Sequence, residues 1–146
     1  GAALALKDTN RLTIGVIGDG DYLMGANALW TASHMDIPVM IVVADNRSFF
    51  NDEMHQERVA VARSRPVQNR WIGQRIDDPP ADLVAMAKAQ GFAGGDPVTT
   101  AETLAAEIER GARVVTNGGR YIIDAVVRPG YANSGPDQRA GSGKKN

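Results

Sequence analysis

Two short polar turns in this sequence combine acidic, amide and glycine residues. The first is GDGD at Gly18–Asp21, and the second is DNRS at Asp45–Ser48. Glycine lets a backbone approach a ligand closely, and a helix that begins at such a turn offers free N–H groups and the positive end of its dipole to phosphate. A carboxylate at Asp19 would repel phosphate unless a divalent cation lay between them. The first turn therefore predicts that Asp19 binds Mg²⁺ and that Mg²⁺ binds a diphosphate.

The second turn supplies the other oxygen ligands that Mg²⁺ would need. Asn46 offers a neutral amide oxygen, and Ser48 offers its backbone carbonyl two residues later. With the Asp19 carboxylate they fill three positions of an octahedron, which leaves three positions for two phosphate oxygens and a water molecule. A single protein charge would keep the site from binding the metal too tightly without its phosphate.

Strands and helices alternate along the chain in a way that would bring the two turns together. We predict strands at Leu12–Ile17, Pro38–Ala44 and Tyr121–Val127, and helices at Tyr22–Met35, Glu53–Arg65, Pro79–Gln90 and Thr100–Arg113. The alternation predicts an α/β fold of three layers, with helices on both faces of a mostly parallel sheet. Ligands of such sheets gather at the carboxyl ends of the strands. Because each turn follows a strand, we expect both turns on the same rim.

The spacing of apolar residues predicts which helix faces are buried. The helix after the first turn has a stripe at steps of four, four and three that consists of Met24, Ala28, Ala32 and Met35. Trp30 extends this apolar surface, and we expect it in the core. Thr100 is suited to the N-cap of a later helix, whose predicted inner face consists of Leu104, Ile108 and Ala112.

The spacing of the two turns resembles a known cofactor-binding motif. A GDG turn whose aspartate is followed 27 positions later by an asparagine, with a helix and a strand between them, is similar to the motif of thiamine-diphosphate-dependent enzymes. The stretch GDGDYLM at Gly18–Met24 is most similar to the group of acetolactate synthase, pyruvate decarboxylase and benzoylformate decarboxylase, whose members often carry a sequence like GDGSFLM. Asp45 stands where the usual pair has its first asparagine, a residue that is not expected to ligate the metal.

The resemblance implies which residues hold the cofactor. It implies that the Mg²⁺ ligands are Asp19, Asn46 and the carbonyl of Ser48. It also implies that Gly18, Gly20 and Asp21 form the turn for the diphosphate, with the backbone N–H groups of Gly20 and Asp21 as donors. Asn51 and Phe50 follow the second turn, and they either contact the diphosphate or pack as ordinary loop residues.

The resemblance also implies an activity and partners. Residues 1–130 would form the diphosphate-binding domain of a larger enzyme subunit, without its N-terminal portion. Such an enzyme, a lyase or transferase, cleaves or forms a carbon–carbon bond beside the carbonyl of a 2-oxo acid or a related small molecule. A glutamate of a separate pyrimidine-binding domain, in the same or a neighbouring subunit, would activate the cofactor. A homo-oligomer is therefore expected, with no catalytic residue in this chain, which would be inactive alone.

The roles of several other residues stay open between a structural and a functional interpretation. Glu53, His55 and Glu57 form either a solvated helix face or part of the mouth of the active site. The arginines are expected at a solvated surface or a subunit contact: Arg63, Arg65, Arg70 and Arg75. His34 is expected to stabilise a helix end, and Trp71 is a candidate interface anchor. Asn27 lies inside a predicted helix and would need a partner if it were buried.

Composition limits the classes of function. The chain has 146 residues, of which 43% are hydrophobic, and this length and composition are enough for one domain with its own core. Its net charge is −1. The balanced charge argues against nucleic acid, and the absence of cysteine excludes disulfides and thiolate metal sites. No apolar run is long enough to span a membrane, and we expect a cytoplasmic location. The Gly- and Ser-rich stretch 131–146 is expected to form a flexible tail.

Two other classes of function remain open at this stage. A nucleotide-binding oxidoreductase domain would need the pattern G-x-G-x-x-G, but Leu23 stands at the position of its third glycine. A non-catalytic α/β interaction module would keep the scaffold without the chemistry. Metal-dependent binding of a diphosphate separates the first hypothesis from both.

Overall fold

A computed structural model describes residues 1–130 of the chain. Its elements, in chain order, are α1 (Ala2–Leu6), β1 (Ile14–Gly18), α2 (Asp19–Gly25), α3 (Ala28–His34), β2 (Val39–Asp45), α4 (Phe50–Ala62), α5 (Leu83–Lys88), β3 (Ala93–Gly94), α6 (Ala101–Thr116) and β4 (Arg120–Val126). The expected flexible tail at 131–146 lies outside the described residues.

The strands form one parallel sheet with the order β1-β2-β4-β3. β2 and β4 pair over their whole length, from Val39 beside Arg120 onwards. β1 pairs with β2 from Ile14 beside Met40 to Gly18 beside Ala44. The carboxyl ends of β1 and β2 therefore lie side by side, and both polar turns leave the sheet there.

Helices cover both faces of this sheet, as the alternating sequence pattern predicts. On one face, α2, α3 and α5 pack through Tyr22, Leu29 and Leu83 against Val43 and Ile122. On the other face, α6 packs through Val115 against side chains of β2 and β4: Met40, Val42, Tyr121 and Ile123. Successive strand residues alternate between these two cores, as the pleat of a strand requires. The predicted three-layer α/β fold is confirmed.

The helix predicted at Tyr22–Met35 is two helices. α2 begins directly at Asp19 and ends at Gly25, and α3 begins at Ala28. Glycine is a poor helix former and Asn27 competes for backbone hydrogen bonds, so the chain turns between them. Asn27 is consequently exposed and needs no buried partner.

The buried stripe of α2 and α3 differs from the predicted one. Tyr22, Ala26 and Leu29 are buried, whereas Met24 is 72% exposed. Trp30 was expected in the core, but it is 58% exposed and stacks on His34, with ring centroids 4.8 Å apart. The buried residues follow each other at steps of four and three, so the helical spacing was right and the predicted face was wrong, already at Met24, which precedes the turn.

The other helices agree with the sequence more closely. Thr100 is the N-cap of α6, and it forms a capping box with Thr103. Leu104 packs into the core, but Gly111 and Val115 complete the buried face, whereas Ile108, which was predicted there, is partly exposed. α4 lies three residues nearer the N-terminus than the predicted helix. Asp82 caps α5, so the helix begins after the prolines.

β1 lies at an edge of the sheet. The short β-branched sequence of this strand favours burial, but Ile14 and Val16 expose 47% and 72% of their surface. Both residues lie on the face that α6 covers over β2 and β4, and α6 does not extend over β1. Within residues 1–130, no helix is both long and apolar enough to cross a membrane.

Candidate functional site

The two polar turns meet at the backbone N–H of Ser48. This N–H donates to Oδ2 of Asp19 at 3.1 Å and to Oδ1 of Asn46 at 2.9 Å. The carboxylate from the end of β1 and the amide from the end of β2 therefore contact one atom. The convergence that the sequence predicted from two strand ends is present in the fold.

Asp19 is held in a buried position at the first residue of α2. Its Oδ1 atom accepts a hydrogen bond from the N–H of Gly20 at 2.9 Å. Burial raises the pKa of Asp19, and the nearby carboxyl of Asp45 raises it further, whereas the N–H groups of Gly20 and Ser48 act in the opposite direction. A bound cation would favour the ionised form that this environment disfavours.

The second turn folds through hydrogen bonds of its own side chains. Oδ1 of Asp45 accepts from the N–H of Arg47 at 2.9 Å, and Asn46 makes the equivalent bond to Ser48. Arg47 adopts a φ of 58°. Asp and Asn side chains favour such turns because they bond the backbone two residues later. The sequence DNRS therefore folds as a turn in which both side chains accept hydrogen bonds from the backbone two residues later.

The side chain of Phe49, which follows the second turn, leaves room only for glycine at position 20. A Cβ atom at Gly20 would overlap the ring of Phe49, which packs against the backbone there. Neither Gly18 nor Gly20 uses the positive φ that glycine permits. The close approach expected of the glycines therefore occurs at Gly20, and the partner in this structure is an aromatic ring.

A cavity of about 330 Å³ opens between the two turns. The residues that line it are Gly18, Asp19, Gly20, Asp21, Asn46, Ser48, Phe49, Phe50, Asn51, Asp52 and Gly130. All the residues that the sequence predicted for metal and cofactor therefore surround one space. Within residues 1–130, no three His, Asp or Glu side chains are arranged to hold a metal ion. Mg²⁺ at this cavity would depend on one carboxylate, one amide and one carbonyl.

Glu53 does not lie on a solvated helix face, which was one of its two interpretations. Only 1% of it is exposed, and its carboxylate accepts a hydrogen bond from the hydroxyl of Ser48. Nε of Arg75 donates to the same carboxylate at 2.7 Å. Burial acts to raise the pKa of Glu53, but the hydrogen bonds from Arg75 and Ser48 outweigh burial and lower the pKa overall.

The other charged and aromatic candidates do not line the cavity. Arg70 forms an ion pair with Glu57. His55, Arg63 and Arg65 are exposed. Trp71 is 48% exposed, so its expected role as an interface anchor stays a prediction.

Sequence reasoning did not single out Asp124, which lies within β4. Only 5% of it is exposed, and its Oδ1 atom has no hydrogen-bond partner. Burial raises the pKa of Asp124 to about 6, and the carboxyl of Asp45 contributes to the increase. The one available signal was an acid inside the apolar run YIIDAVV.

A parallel α/β sheet with a polar cavity at the ends of two neighbouring strands belongs to a class of domains that commonly bind ligands at that rim. The comparison with known families identifies the ligand class. The family model described as "Thiamine pyrophosphate enzyme, C-terminal TPP binding domain" matches residues 1–125, and the chain belongs to this family. The resemblance to thiamine-diphosphate-dependent enzymes is thus confirmed. The family assignment argues against the alternative of a nucleotide-binding oxidoreductase domain.

Individual relatives agree with this assignment. The chain is 27% identical over 137 residues to a probable acetolactate synthase large subunit of Methanocaldococcus jannaschii, covering 90% of this chain and 20% of that protein. It superposes with a TM-score of 0.61 and 27% identity on the thiamine diphosphate-dependent 4-hydroxybenzoylformate decarboxylase of Rhodococcus jostii, over 91% of this chain and 22% of that one. Benzoylformate decarboxylase of Polynucleobacter necessarius shares the fold, with a TM-score of 0.60, 20% identity and coverage of 84% and 21%. The chain spans about a fifth of the length of these relatives.

Proposed function

We propose that this chain anchors the diphosphate of thiamine diphosphate through Mg²⁺ in an enzyme that cleaves or forms a carbon–carbon bond. The bond would lie next to the carbonyl of a 2-oxo acid or a related compound, as in acetolactate synthase or the decarboxylases. In this proposal the Mg²⁺ ligands are Asp19, Asn46 and the carbonyl of Ser48. Gly18, Gly20, Asp21 and Asn51 contact the diphosphate.

One observation carries the proposal. The N–H of Ser48 contacts side-chain oxygens of both Asp19 and Asn46, at the edge of the cavity that the two turns share. Carboxylate, amide and carbonyl oxygens are the ligands that Mg²⁺ accepts, and a site with one carboxylate leaves positions for phosphate. The family assignment supplies the identity of the diphosphate.

The bound cofactor would supply a carbanion nucleophile and an electron sink, so the residues of this chain only have to bind and orient it. Residues 1–130 act in this proposal as the diphosphate-binding domain of a longer, oligomeric protein. A pyrimidine-binding domain of the same or a neighbouring subunit completes the active site and supplies the activating glutamate. We expect little activity from this chain without that partner.

Calorimetric titration of the full-length protein with thiamine diphosphate tests the metal anchor. We expect binding in the presence of Mg²⁺ and its loss in EDTA. Asp19→Ala should abolish metal-dependent binding because it removes the only charged ligand. Asn46→Leu should do the same, because it removes an oxygen ligand with little change of volume.

Asp96→Ala is the control, because Asp96 is an exposed acid that does not line the cavity. This variant also removes a carboxylate, and it should keep metal-dependent binding. If neither EDTA nor Asp19→Ala changes the affinity for thiamine diphosphate, the proposed binding of the diphosphate through Mg²⁺ is wrong.

A further inference from the structure

We propose that Glu53 and Arg75 are positioning residues that orient the carbonyl of Ser48 toward the metal. This inference rests on the proposed function, because it concerns one of the three proposed Mg²⁺ ligands. Neither side chain lines the cavity. Both would act through Ser48.

The backbone of Ser48 is held by a segment from far along the chain, Gln74–Ile76, which we call the brace. Ser48 and Arg75 form an antiparallel bridge. The hydrogen bonds of this bridge come from the neighbours of Ser48: the N–H of Phe49 donates to the carbonyl of Gln74 at 2.9 Å, and the N–H of Ile76 donates to the carbonyl of Arg47 at 2.8 Å.

This bonding pattern determines where the polar backbone groups of Ser48 point. In an antiparallel pair whose hydrogen bonds are made by the flanking residues, the N–H and C=O of the central residue point away from the partner strand. The N–H of Ser48 reaches Asp19 and Asn46 on that side. Its carbonyl is directed to the same side by the same geometry, which is the orientation that a metal ligand needs.

The side chains add a second link between the brace and the turn. The Ser48 hydroxyl and the Arg75 Nε atom both donate to Oε1 of Glu53. Glu53 is buried, so removal of Arg75 would leave an ionised carboxylate with only a neutral donor in direct contact. Arg70 acts on Glu53 only through its charge. The result would be a loosened Ser48 side chain and a less firmly docked brace.

Residues that support a metal ligand without touching the metal commonly change metal affinity by about 10–100-fold when they are replaced. We therefore expect Arg75→Ala to raise the Mg²⁺ concentration for half-maximal binding of thiamine diphosphate by at least about 10-fold. Glu53→Gln, which keeps an acceptor for Ser48 but removes the charge, should produce an increase in the same direction. Arg75→Lys should restore part of the affinity, because it returns the charge without the Nε donor.

The experiment has two measurements on the full-length protein. Hydrogen exchange without ligand reports whether the bridge is held, and we expect the amides of Phe49 and Ile76 to exchange at least about 10-fold faster in Arg75→Ala while that of Ile122 is unchanged. Titration with Mg²⁺ at fixed thiamine diphosphate reports the effect on the proposed ligand. Arg113→Ala is the matched control, since it breaks an exposed ion pair with Glu109 on α6 and should change neither measurement.

The two measurements separate this inference from the proposed function. If the wild-type protein binds in a metal-dependent manner but Arg75→Ala and Glu53→Gln keep the wild-type Mg²⁺ requirement, the positioning role is wrong. If the wild-type protein shows no metal-dependent binding, the proposed function fails, whatever hydrogen exchange shows for the brace. If Arg75→Ala does not fold, Glu53→Gln and Arg75→Lys carry the test. Faster exchange together with a raised Mg²⁺ requirement supports the positioning role.

Discussion

Asp124 is a carboxylic acid in the middle of the sheet, beside other acids and with an unpaired oxygen. Its pKa is raised to about 6 by burial and then by Asp45, whereas the charge of Arg47 acts to lower it. Between pH 3.8, its ordinary pKa, and about 6, the unfolded chain loses this proton while the folded chain keeps it. The free energy of unfolding should therefore fall as pH rises through this window and then level off, by about 3 kcal/mol at most.

Asp124→Asn removes this titration, because an amide stays neutral at every pH in the window. The variant should gain stability relative to the wild type as pH rises from about 4 to about 7. Urea unfolding at several pH values, in buffer without metal, measures the difference. Asp96→Asn replaces an exposed acid and serves as the control. A wild-type-to-variant difference that does not change with pH would show that Asp124 does not titrate in this window.

At the scale of residues, the sequence predicts the convergence of Asp19 and Asn46 because each follows a strand and parallel strands end at one rim. It does not predict the contacts of Glu53 with Arg75. Those contacts depend on how the segment from Asn51 to Gly73 returns to the second turn, and neither residue spacing nor charge determines such a path. Glu53 lies five positions after Ser48, and this spacing allows its carboxylate to reach the Ser48 hydroxyl. A glutamate on a solvated helix face could have the same spacing, so the spacing does not distinguish the two cases.

The packing of α6 on the sheet depends on Gly111. A Cβ atom at this position would overlap Met40 and the ring of Tyr121. Two effects of Gly111→Ala oppose each other. Alanine favours a helix interior by about 1 kcal/mol, whereas overpacking a buried contact costs about 1–3 kcal/mol. Because the Tyr121 hydroxyl also bonds Glu107, the ring cannot move freely, and we expect the cost to prevail.

Gly25→Ala is the matched comparison in α2, since a Cβ there would meet nothing within 4 Å. This variant should be more stable than the wild type by about 0.5–1 kcal/mol, whereas Gly111→Ala should be less stable. Chemical denaturation with an unchanged m-value measures both. A stabilised Gly111→Ala would mean that α6 can shift outward without loss of its contacts with the sheet.

At the scale of elements, periodicity finds the long strands and the helices but does not place every break. The interval from Tyr22 to Met35 is apolar enough to favour one helix, and a single Gly25 did not end it in the prediction. In the structure, Tyr22 must reach the carbonyl of Leu83 with its hydroxyl while Leu29 packs into the same core. One helix would also place Tyr22 and Leu29 on the same face, because they are seven positions apart. The break therefore depends on the weak helix formers Gly25 and Asn27, whose effect was hidden by the apolar pattern around them.

At the scale of the whole molecule, the helices cover the strands of the sheet to different extents. The alternation of strands and helices predicts three layers, but the extent of each layer depends on the order β1-β2-β4-β3. This order places β1 at an edge, so the side chains of Ile14 and Val16 lie beyond α6. The apolar sequence of a strand predicts that both of its faces are suited to burial. Whether both faces are covered depends on where the other helices and strands lie.

Val16 and Val42 allow this unequal covering to be measured, because they are direct neighbours in register on one face of the sheet. Val42 lies in the core under α6 and is 9% exposed, whereas Val16 is 72% exposed. Replacement by threonine keeps the shape and adds a hydroxyl. Val42→Thr should destabilise this 146-residue chain by about 1–3 kcal/mol, because the hydroxyl would be buried, whereas Val16→Thr should change its stability by less than about 0.5 kcal/mol. Equal losses in urea unfolding would mean that another body, such as a second copy of the chain, covers β1 in solution.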